Sequence, residues 1–434
     1  MSASEYRNQI DTSAYYGAEV LNRVLFLRED VEFISKLIVH SSTRFIFYNQ
    51  GHPLFNKGAI KGLKLVVLTN GDSQQQQHKG LWSSQIWRST LDTWISDNRT
   101  KDPGLRDNNK PVFLFLGLKD ESVGLDLNKV KISEDEERYF DHQGRYQGIP
   151  YYGVDVSKLE QLRQLIVNHI LESDKQVNEK SLFFTTSRKH VLGMLTPEEA
   201  ALFSHGKMFI DWLDRNRFCP GCGSKTIPIH GGGKIYCTNE ETKQVEDDKG
   251  ETIDKFVCPV KSVSVSNVSF PRTDAVVIIA IVNKERTKML LLLHKRYNFA
   301  KMYTCTAGFM EPSETVETAA KREIWEETGV VCSEIQMVKT QPWPFPANLM
   351  IGCVATVEFN GINEQIHLGH DNELDDARWF DIDYVKKLLE VAGSRDDEEL
   401  DMLFNPEGLA LPAPESLAYQ IIKIAVNESK DSKL

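Results

Sequence analysis

The chain has no apolar run longer than the eight residues Ala275–Val282. A bilayer core asks for about 20 such residues in a helix, so no segment reads as a membrane span. The opening residues, MSASEYRNQIDTS, are polar and lack the apolar stretch of a signal peptide. Cysteine is scarce, with seven in 434 residues, unevenly spaced and all beyond residue 218. That excludes a secreted disulfide framework and points to a reducing compartment. Positive charge is in deficit, the formal net charge being -11. Large nucleic-acid footprints are usually basic, and a small anionic substrate would need metal ions or local cations. At this length, about two or three globular domains with ample core are expected.

What is present is concentrated in residues 308–330, GFMEPSETVETAAKREIWEETGV. Pro312 and Ser313 read as opening a helix, Glu314 and Glu317 as favouring its positive end, and Gly329 as closing it in the left-handed conformation. Val316, Ala319, Ala320 and Ile324 supply a packing face. Glu323, Glu326 and Glu327 recur at i, i+3 and i+4, which crowds three mutually repelling carboxylates onto one patch. Taken alone they read as a solvated acidic face, or as a cluster of hard oxygen ligands for Mg²⁺ or Mn²⁺. The full pattern decides, because Gly308, Glu314, Arg322, Glu323, Ile324, Glu326, Glu327, Gly329 and Val330 fill every fixed position of G-x5-E-x7-R-E-U-x-E-E-x-G-U, with U aliphatic. The stretch therefore resembles the Nudix hydrolases, which cleave a nucleoside diphosphate linked to another moiety. The resemblance implies a loop-helix-loop that holds divalent metals on Glu323, Glu326 and Glu327, with Arg322 orienting the carboxylates.

Residues 1 to about 210 read as one α/β domain. Asn22 to Ile38 carries helical periodicity, and the runs 44–48, 63–68 and 112–116 suit strands. Gln74 to Gln77 reads as a surface loop. Ser157 with Glu160 predicts a capping box ahead of a helix whose buried stripe is Leu159, Leu162, Leu165 and Ile166. A second box is predicted at Thr196 and Glu199, with Pro197 at the first helical position. Lone histidines such as His190 and His205 read as packing or surface residues, and no catalytic constellation is visible here.

Cys219-Pro-Gly-Cys222-Gly has the form of a zinc knuckle, and Cys237 and Cys258 can complete a four-thiolate site. An acidic insertion with Glu246, Asp247, Asp248 and Glu251 separates the last two. A redox CxxC is the competing reading, but two further cysteines lie nearby and no thioredoxin-like context surrounds the pair. Four thiolates with no open position imply a structural Zn²⁺ that stabilises a ribbon poor in apolar residues. The segment is acidic and does not read as a nucleic-acid binder.

Beyond the ribbon, the strands Ala275–Val282 and 289–294 form a hairpin ahead of the motif. After the motif comes Thr340-Gln-Pro-Trp-Pro-Phe-Pro-Ala-Asn348, where three prolines alternate with aromatics and exclude both helix and central strand. It reads either as a stiff extended loop presenting Trp343 and Phe345 to a base or nicotinamide ring, or as a proline-stiffened core plug. The residues alone leave both readings open.

Knuckle, Phe270-Pro-Arg-x-Asp274 entry, motif and array, in that order, resemble the NADH pyrophosphatases, whose array reads SQPWPFPxS. Thr340 and Asn348 stand where the family has serines, and Ala275 where it commonly has proline. The resemblance covers about residues 210–425, and the N-terminal domain more loosely. It implies an α/β (α+β) chain: an N-terminal Nudix-like α/β domain (1–210), a zinc ribbon (211–270) and a C-terminal Nudix α/β/α sandwich (271–427). It implies metal ligation by Glu323, Glu326, Glu327, the carbonyl of Ala307 and Glu373. It places substrate against Phe270, Phe309, Gln341, Pro342, Trp343, Pro344, Phe345, Pro346, Ala347 and Asn348, with Ala418 closing the pocket, and it implies a homodimer. The acidic run Asp396 to Glu399 matches no family position and reads as a solvated loop.

The expected reaction is Mg²⁺- or Mn²⁺-assisted hydrolysis of the pyrophosphate of NADH or NAD⁺ to AMP and nicotinamide mononucleotide, with Glu326 or Glu327 as base. NAD-cap removal from RNA 5′ ends, or hydrolysis of ADP-ribose or diadenosine polyphosphates, are alternatives at the same site. A catalytically inactive nucleotide sensor is the alternative of another class. The residues Ser432-Lys433-Leu434, in a tail taken as 428–434, read as a peroxisomal address for its import receptor.

Overall fold

The computed structural model describes residues 14–57, 63–71, 79–107, 109–130, 138–157, 159–185, 191–239, 245–246, 250, 252–253, 258–262, 268–370, 372–393 and 408–427. Gln74 to Gln77, His190, Asp247, Asp248, Glu251, Asp396 to Glu399 and Ser432 to Leu434 lie outside the described residues. The chain divides into two compact units, one of Met1–Asp11 and Ala18–Arg272, the other of Thr12–Gly17 and Thr273–Leu434.

In the first unit, helix α1 (Val31–Val39) starts where the Asp30 carboxylate accepts the N–H groups of Glu32 and Phe33. The helical periodicity that begins at Asn22 is not realised before that cap. Val24 takes a positive φ, and Leu25–Leu27 is only a 3-10 turn. Strands β1 (Arg44–Asn49), β2 (His52–Lys57) and β3 (Leu63–Leu65) precede helix α2 (Gln85–Thr100), and β4 (Val112–Lys119) and β5 (Tyr146–Asp155) follow it. The sheet order is β3-β2-β1-β5-β4, with β1 and β5 parallel. The expected strand 63–68 breaks after Leu65 and resumes as Leu68–Thr69, which pairs with β1 instead of β2.

Helix α3 (Glu160–Ser173) lacks the predicted capping box, because Leu159 occupies the cap position with no side-chain bond. The Ser157 hydroxyl is already engaged, donating to Asp155 Oδ1 at 2.5 Å and accepting the Gln50 N–H at 2.6 Å. Helix α4 (Pro197–Arg215) has its box: Thr196 Oγ1 accepts the Glu199 N–H, and Glu199 Oε2 accepts that of Thr196. His205 is buried on α4 beside Phe209, and desolvation drives its pKa well down, as suits a packing histidine.

The ribbon hairpin, β6 (Thr226–Ile229) and β7 (Lys234–Cys237), belongs to this first unit. Ile227 and Ile229 join the core built on α1, β1 and β4, and the Gly231 carbonyl accepts the Phe115 N–H at 2.7 Å. Buried Arg28 donates to the Leu116 carbonyl and lies over the rings of Phe115 and Phe209. A side chain at Gly233 would meet the Arg28 guanidinium at 2.9 Å. The ribbon thus borrows an apolar face that it cannot build itself.

The second unit is a mixed sheet of β8 (Asp274–Asn283), β9 (Lys288–His294), β10 (Thr306–Phe309), β11 (Glu334–Trp343), β12 (Asn348–Val357) and β13 (Leu374–Asp381). Its order is β11-β12-β8-β9-β13, with β10 also on β8. The long apolar run is β8, which pairs parallel with β12 from Asp274↔Asn348 to Asn283↔Val357. Successive residues of a strand face opposite ways, and here both ways are dry. Val277, Ile279 and Ile281 pack under helix α5 (Val316–Thr328), whereas Ile278, Ala280 and Val282 pack under α6 (Ile382–Gly393) and α7 (Leu417–Asn427). A strand buried on both faces reads as a continuous apolar run instead of an alternation. The unit is an α/β/α sandwich with the charged helix as one outer layer. Among the described residues, no helix is long and apolar enough to cross a membrane.

The Sγ atoms of Cys219, Cys222, Cys237 and Cys258 all lie within 4.8 Å of one another, with Cys219 to Cys258 at 3.5 Å and Cys222 to Cys237 at 3.4 Å. Disulfides would need about 2.05 Å, while four thiolates around one Zn²⁺ at ~2.3 Å stand about 3.8 Å apart. The residues fit a closed tetrahedral site. Elemental analysis should find one zinc per chain, and Cys222→Ser should release it and lower the thermal midpoint before it alters chemistry, because a structural site contributes folding free energy. Zinc-free fresh protein, or a Cys219–Cys222 disulfide in it, contradicts this.

Candidate active site

Helix α5 begins later than the proline suggests. Thr315 is its cap, accepting the Thr318 N–H at 3.2 Å, and Gly329 closes it at φ 71° with its N–H on the Trp325 carbonyl. Glu314 therefore precedes the helix instead of favouring its dipole. Its carboxylate takes two bonds from Arg322, Nε to Oε1 at 2.7 Å and Nη2 to Oε2 at 2.9 Å. Arg322 Nη2 also donates to the Phe309 carbonyl at 2.8 Å, and Nη1 to Glu323 Oε1 at 2.7 Å and Glu326 Oε2 at 2.8 Å. A guanidinium has five N–H donors, and these bonds occupy all of them. The bidentate grip holds the Glu314 carboxyl down to about 2.

The carboxylates differ in exposure. Glu326 is half-exposed, with a side-chain exposure of 41%. Glu327 is 4% exposed and accepts only the long 3.4 Å bond from the Ala307 N–H on Oε1, while its Oε2 is buried with no partner among the described residues. Desolvation first, then the charges of Glu323 and Glu373, push Glu327 up to about 8. Burial also raises Glu323. At Gly308 a Cβ would lie 1.9 Å from the Glu323 carboxyl carbon, so only glycine leaves that carboxylate its place. An orphaned buried carboxylate oxygen within a cluster of hard oxygen donors fits a divalent cation such as Mg²⁺ or Mn²⁺. Ala307 lies opposite Ile278 on β10, and exposed Glu373 just precedes β13, its charge felt by Glu327.

The proline-aromatic array is not a loop throughout. Thr340 to Trp343 end β11, an edge strand where Pro342 omits no internal ladder bond, and 344–347 turn the chain into β12. Gln341 is buried; its Nε2 donates to the Glu415 carbonyl and its Oε1 accepts the Leu417 N–H, tying the array to the start of α7 beside Ala418. Its amide anchors backbone instead of facing open surface. Ala347, Asn348 and Ala418 are buried, as is Pro344, whereas Pro346 is exposed and Pro342, Trp343 and Phe345 are half-buried. Phe309 is exposed at the end of β10. Phe270 belongs to the first unit, with the Lys234 ammonium 5.1 Å over its ring.

Two features escape sequence reasoning. One is the clamp of Glu314 on Arg322, for which their spacing in the motif was a signal without a geometry. The other is Tyr16, which no pattern marks. Its ring stands edge-on to Trp343 at 5.7 Å and to Phe345 at 5.9 Å, and those two meet edge-on at 5.3 Å. Each such pair contributes about 0.5–1.5 kcal/mol beyond area burial.

Residues 271–400 match the NUDIX domain, and residues 214–244 match the NADH pyrophosphatase zinc ribbon domain. The chain is similar to the NAD-capped RNA hydrolase NPY1 of Saccharomyces cerevisiae, 35% identical over 418 residues and 94% of each chain. It is also similar to the NAD-capped RNA hydrolase of Schizosaccharomyces pombe, 29% identical over 91% of this chain and 90% of that one. With NAD-capped RNA hydrolase NUDT12 of Homo sapiens it shares 28% identity over 94% of this chain and 72% of the human one.

Gly308→Ala should keep the fold, since the clashing atoms end a side chain that can swing, but it should break the Arg322–Glu323 bond and weaken Mn²⁺ binding about tenfold or more. Titration calorimetry measures this, and unaltered affinity would show that Glu323 is not held for the metal. The raised Glu327 carboxyl sets a pH dependence. Folded protein keeps this proton between about 4.5 and 8 while the unfolded chain loses it, so metal-free protein loses stability as pH rises through that window. Divalent metal should offset the loss. Thermal midpoints of EDTA-treated protein should show the slope, and Glu327→Gln should flatten it. A slope unchanged by that substitution would assign it to other groups.

Proposed function

Because the chain belongs to the NADH pyrophosphatase family of Nudix hydrolases, we propose that it hydrolyses the pyrophosphate of NADH and NAD⁺, releasing AMP and nicotinamide mononucleotide. The observation that carries this reading is the Arg322 clamp, which holds Glu323 and Glu326 on one guanidinium nitrogen while the buried carboxyl of Glu327 feels the charge of Glu323. A divalent cation on these carboxylates supplies Lewis acidity toward phosphate oxygens and lowers the pKa of water. Arg322 fixes the donors ahead of substrate, so little reorganisation is needed during reaction. Glu326 is the base in this reading, because it reaches solvent and Arg322 binds one of its oxygens. It takes the water proton as the new P–O bond forms and the bridging P–O bond breaks, and Glu327 stays buried as a ligand. The half-buried rings of Trp343 and Phe345 offer a stacking surface for a nucleotide ring.

Removal of an NAD cap from RNA is a second reading, favoured by the names of the three relatives. It breaks the same bond. Glu326→Gln and Glu327→Gln should each lower kcat/KM for NADH by at least about 100-fold in folded protein. The wild type should be ranked on NADH, NAD⁺, ADP-ribose, diadenosine polyphosphates and NAD-capped RNA. Normal turnover by both variants would remove the catalytic assignment, and a kcat/KM for capped RNA far above that for NADH would move the substrate to the second reading.

A further inference from the structure

Residues 14–17 form a turn closed by the Gly17 N–H on the Ala14 carbonyl at 2.8 Å. The turn stands at the other end of the sequence from the array, yet both belong to the second unit. It touches the array at successive points. A side chain at Gly17 would meet Pro342 Cδ at 2.8 Å, and Tyr16, 2% exposed, presents its ring at 82° to Trp343 and 78° to Phe345. Tyr15, 7% exposed, backs Tyr16 edge-on at 4.9 Å.

We infer that Tyr16 is a positioning residue for substrate, setting the tilt of the Trp343 and Phe345 rings on which a nucleotide ring stacks. This rests on the reading of the array as the substrate platform. The backbone of the array needs no help from Tyr16: β11 and β12 are paired up to Trp343↔Asn348, and Gln341 ties the strand to α7. What that pairing leaves open is the side-chain torsions of two half-buried rings. Tyr16 packs on both, and with the Trp343–Phe345 contact the three rings close a triangle of edge-on pairs. Turning one ring breaks two contacts. A platform held this way costs less ordering when substrate binds. The benefit is the same for bound substrate and transition state, so it belongs in KM and not in kcat.

The test uses full-length protein, free NAD⁺ and saturating Mn²⁺. Tyr16→Ala should raise KM roughly 3- to 10-fold, the scale of releasing one or two ordered side chains, with kcat within about twofold. Tyr16→Phe, which keeps the ring, should restore KM. Should Tyr16→Ala not fold, Tyr16→Leu fills the volume without a ring edge and should give the same KM rise. In a Trp343→Ala background the Tyr16 substitution should add less than it does alone, because one of the two rings it positions is gone. An unchanged KM, a loss confined to kcat, or an additive double variant overturns the inference. Trp343→Ala separates the two failures. A raised KM there with a normal Tyr16→Ala leaves the platform standing and removes only the role of Tyr16; an unchanged KM in Trp343→Ala removes the platform and the inference together.

Discussion

Everything in the candidate site depends on one guanidinium with no donor to spare. Arg322 bonds Glu314 twice, Glu323 and Glu326 once each, and the Phe309 carbonyl once. Three carboxylates and one guanidinium, all ionised, sum to -2, so the clamp gathers more negative charge than it neutralises. A partly exposed cluster of that sign is favoured by a further cation. Lysine could not substitute, since its ammonium is a point charge with three donors and no planar fork.

The clamp also explains the sharing of roles among neighbouring glutamates. Glu323 and Glu326 are oriented by Arg322, whereas Glu327 points to the sheet and finds only the Ala307 N–H. Its raised pKa follows from that burial. A carboxyl that is costly to ionise without metal and favourable to ionise with it couples occupancy of the site to stability. Such strain is commonly found where function needs it.

The same economy appears in the supporting structure. The ribbon contributes a four-cysteine cluster but takes its apolar face from the core beside it, through Ile227, Ile229 and the Gly231 carbonyl. In the second unit, β8 lies under helices on both faces, which makes a rigid base for α5. Rigid elements hold functional groups more tightly than loops, and Gly308 lies on a strand paired with β8.

Local chemistry is legible in the order of residues alone. Spacing of glutamates and arginine, the cysteine pairs, the Thr196 cap and the apolar run of β8 each encode an interaction among near neighbours or a demand for full burial. Several misreadings share one physical origin, a hydrogen-bonding group already taken by a partner other than the one its spacing suggests. Asp155 and Gln50 occupy the hydroxyl of Ser157, Glu415 and Leu417 occupy the amide of Gln341, and Arg322 occupies Glu314. The order of residues alone put Glu323, Glu326 and Glu327 on one face of α5 and marked the run Ala275–Val282 as a strand. Only the tertiary structure decided that Glu327 is the buried carboxylate and that Tyr16 meets Trp343 and Phe345. Burial and contact between remote segments are set by how the chain closes in space, and no local spacing carries that information.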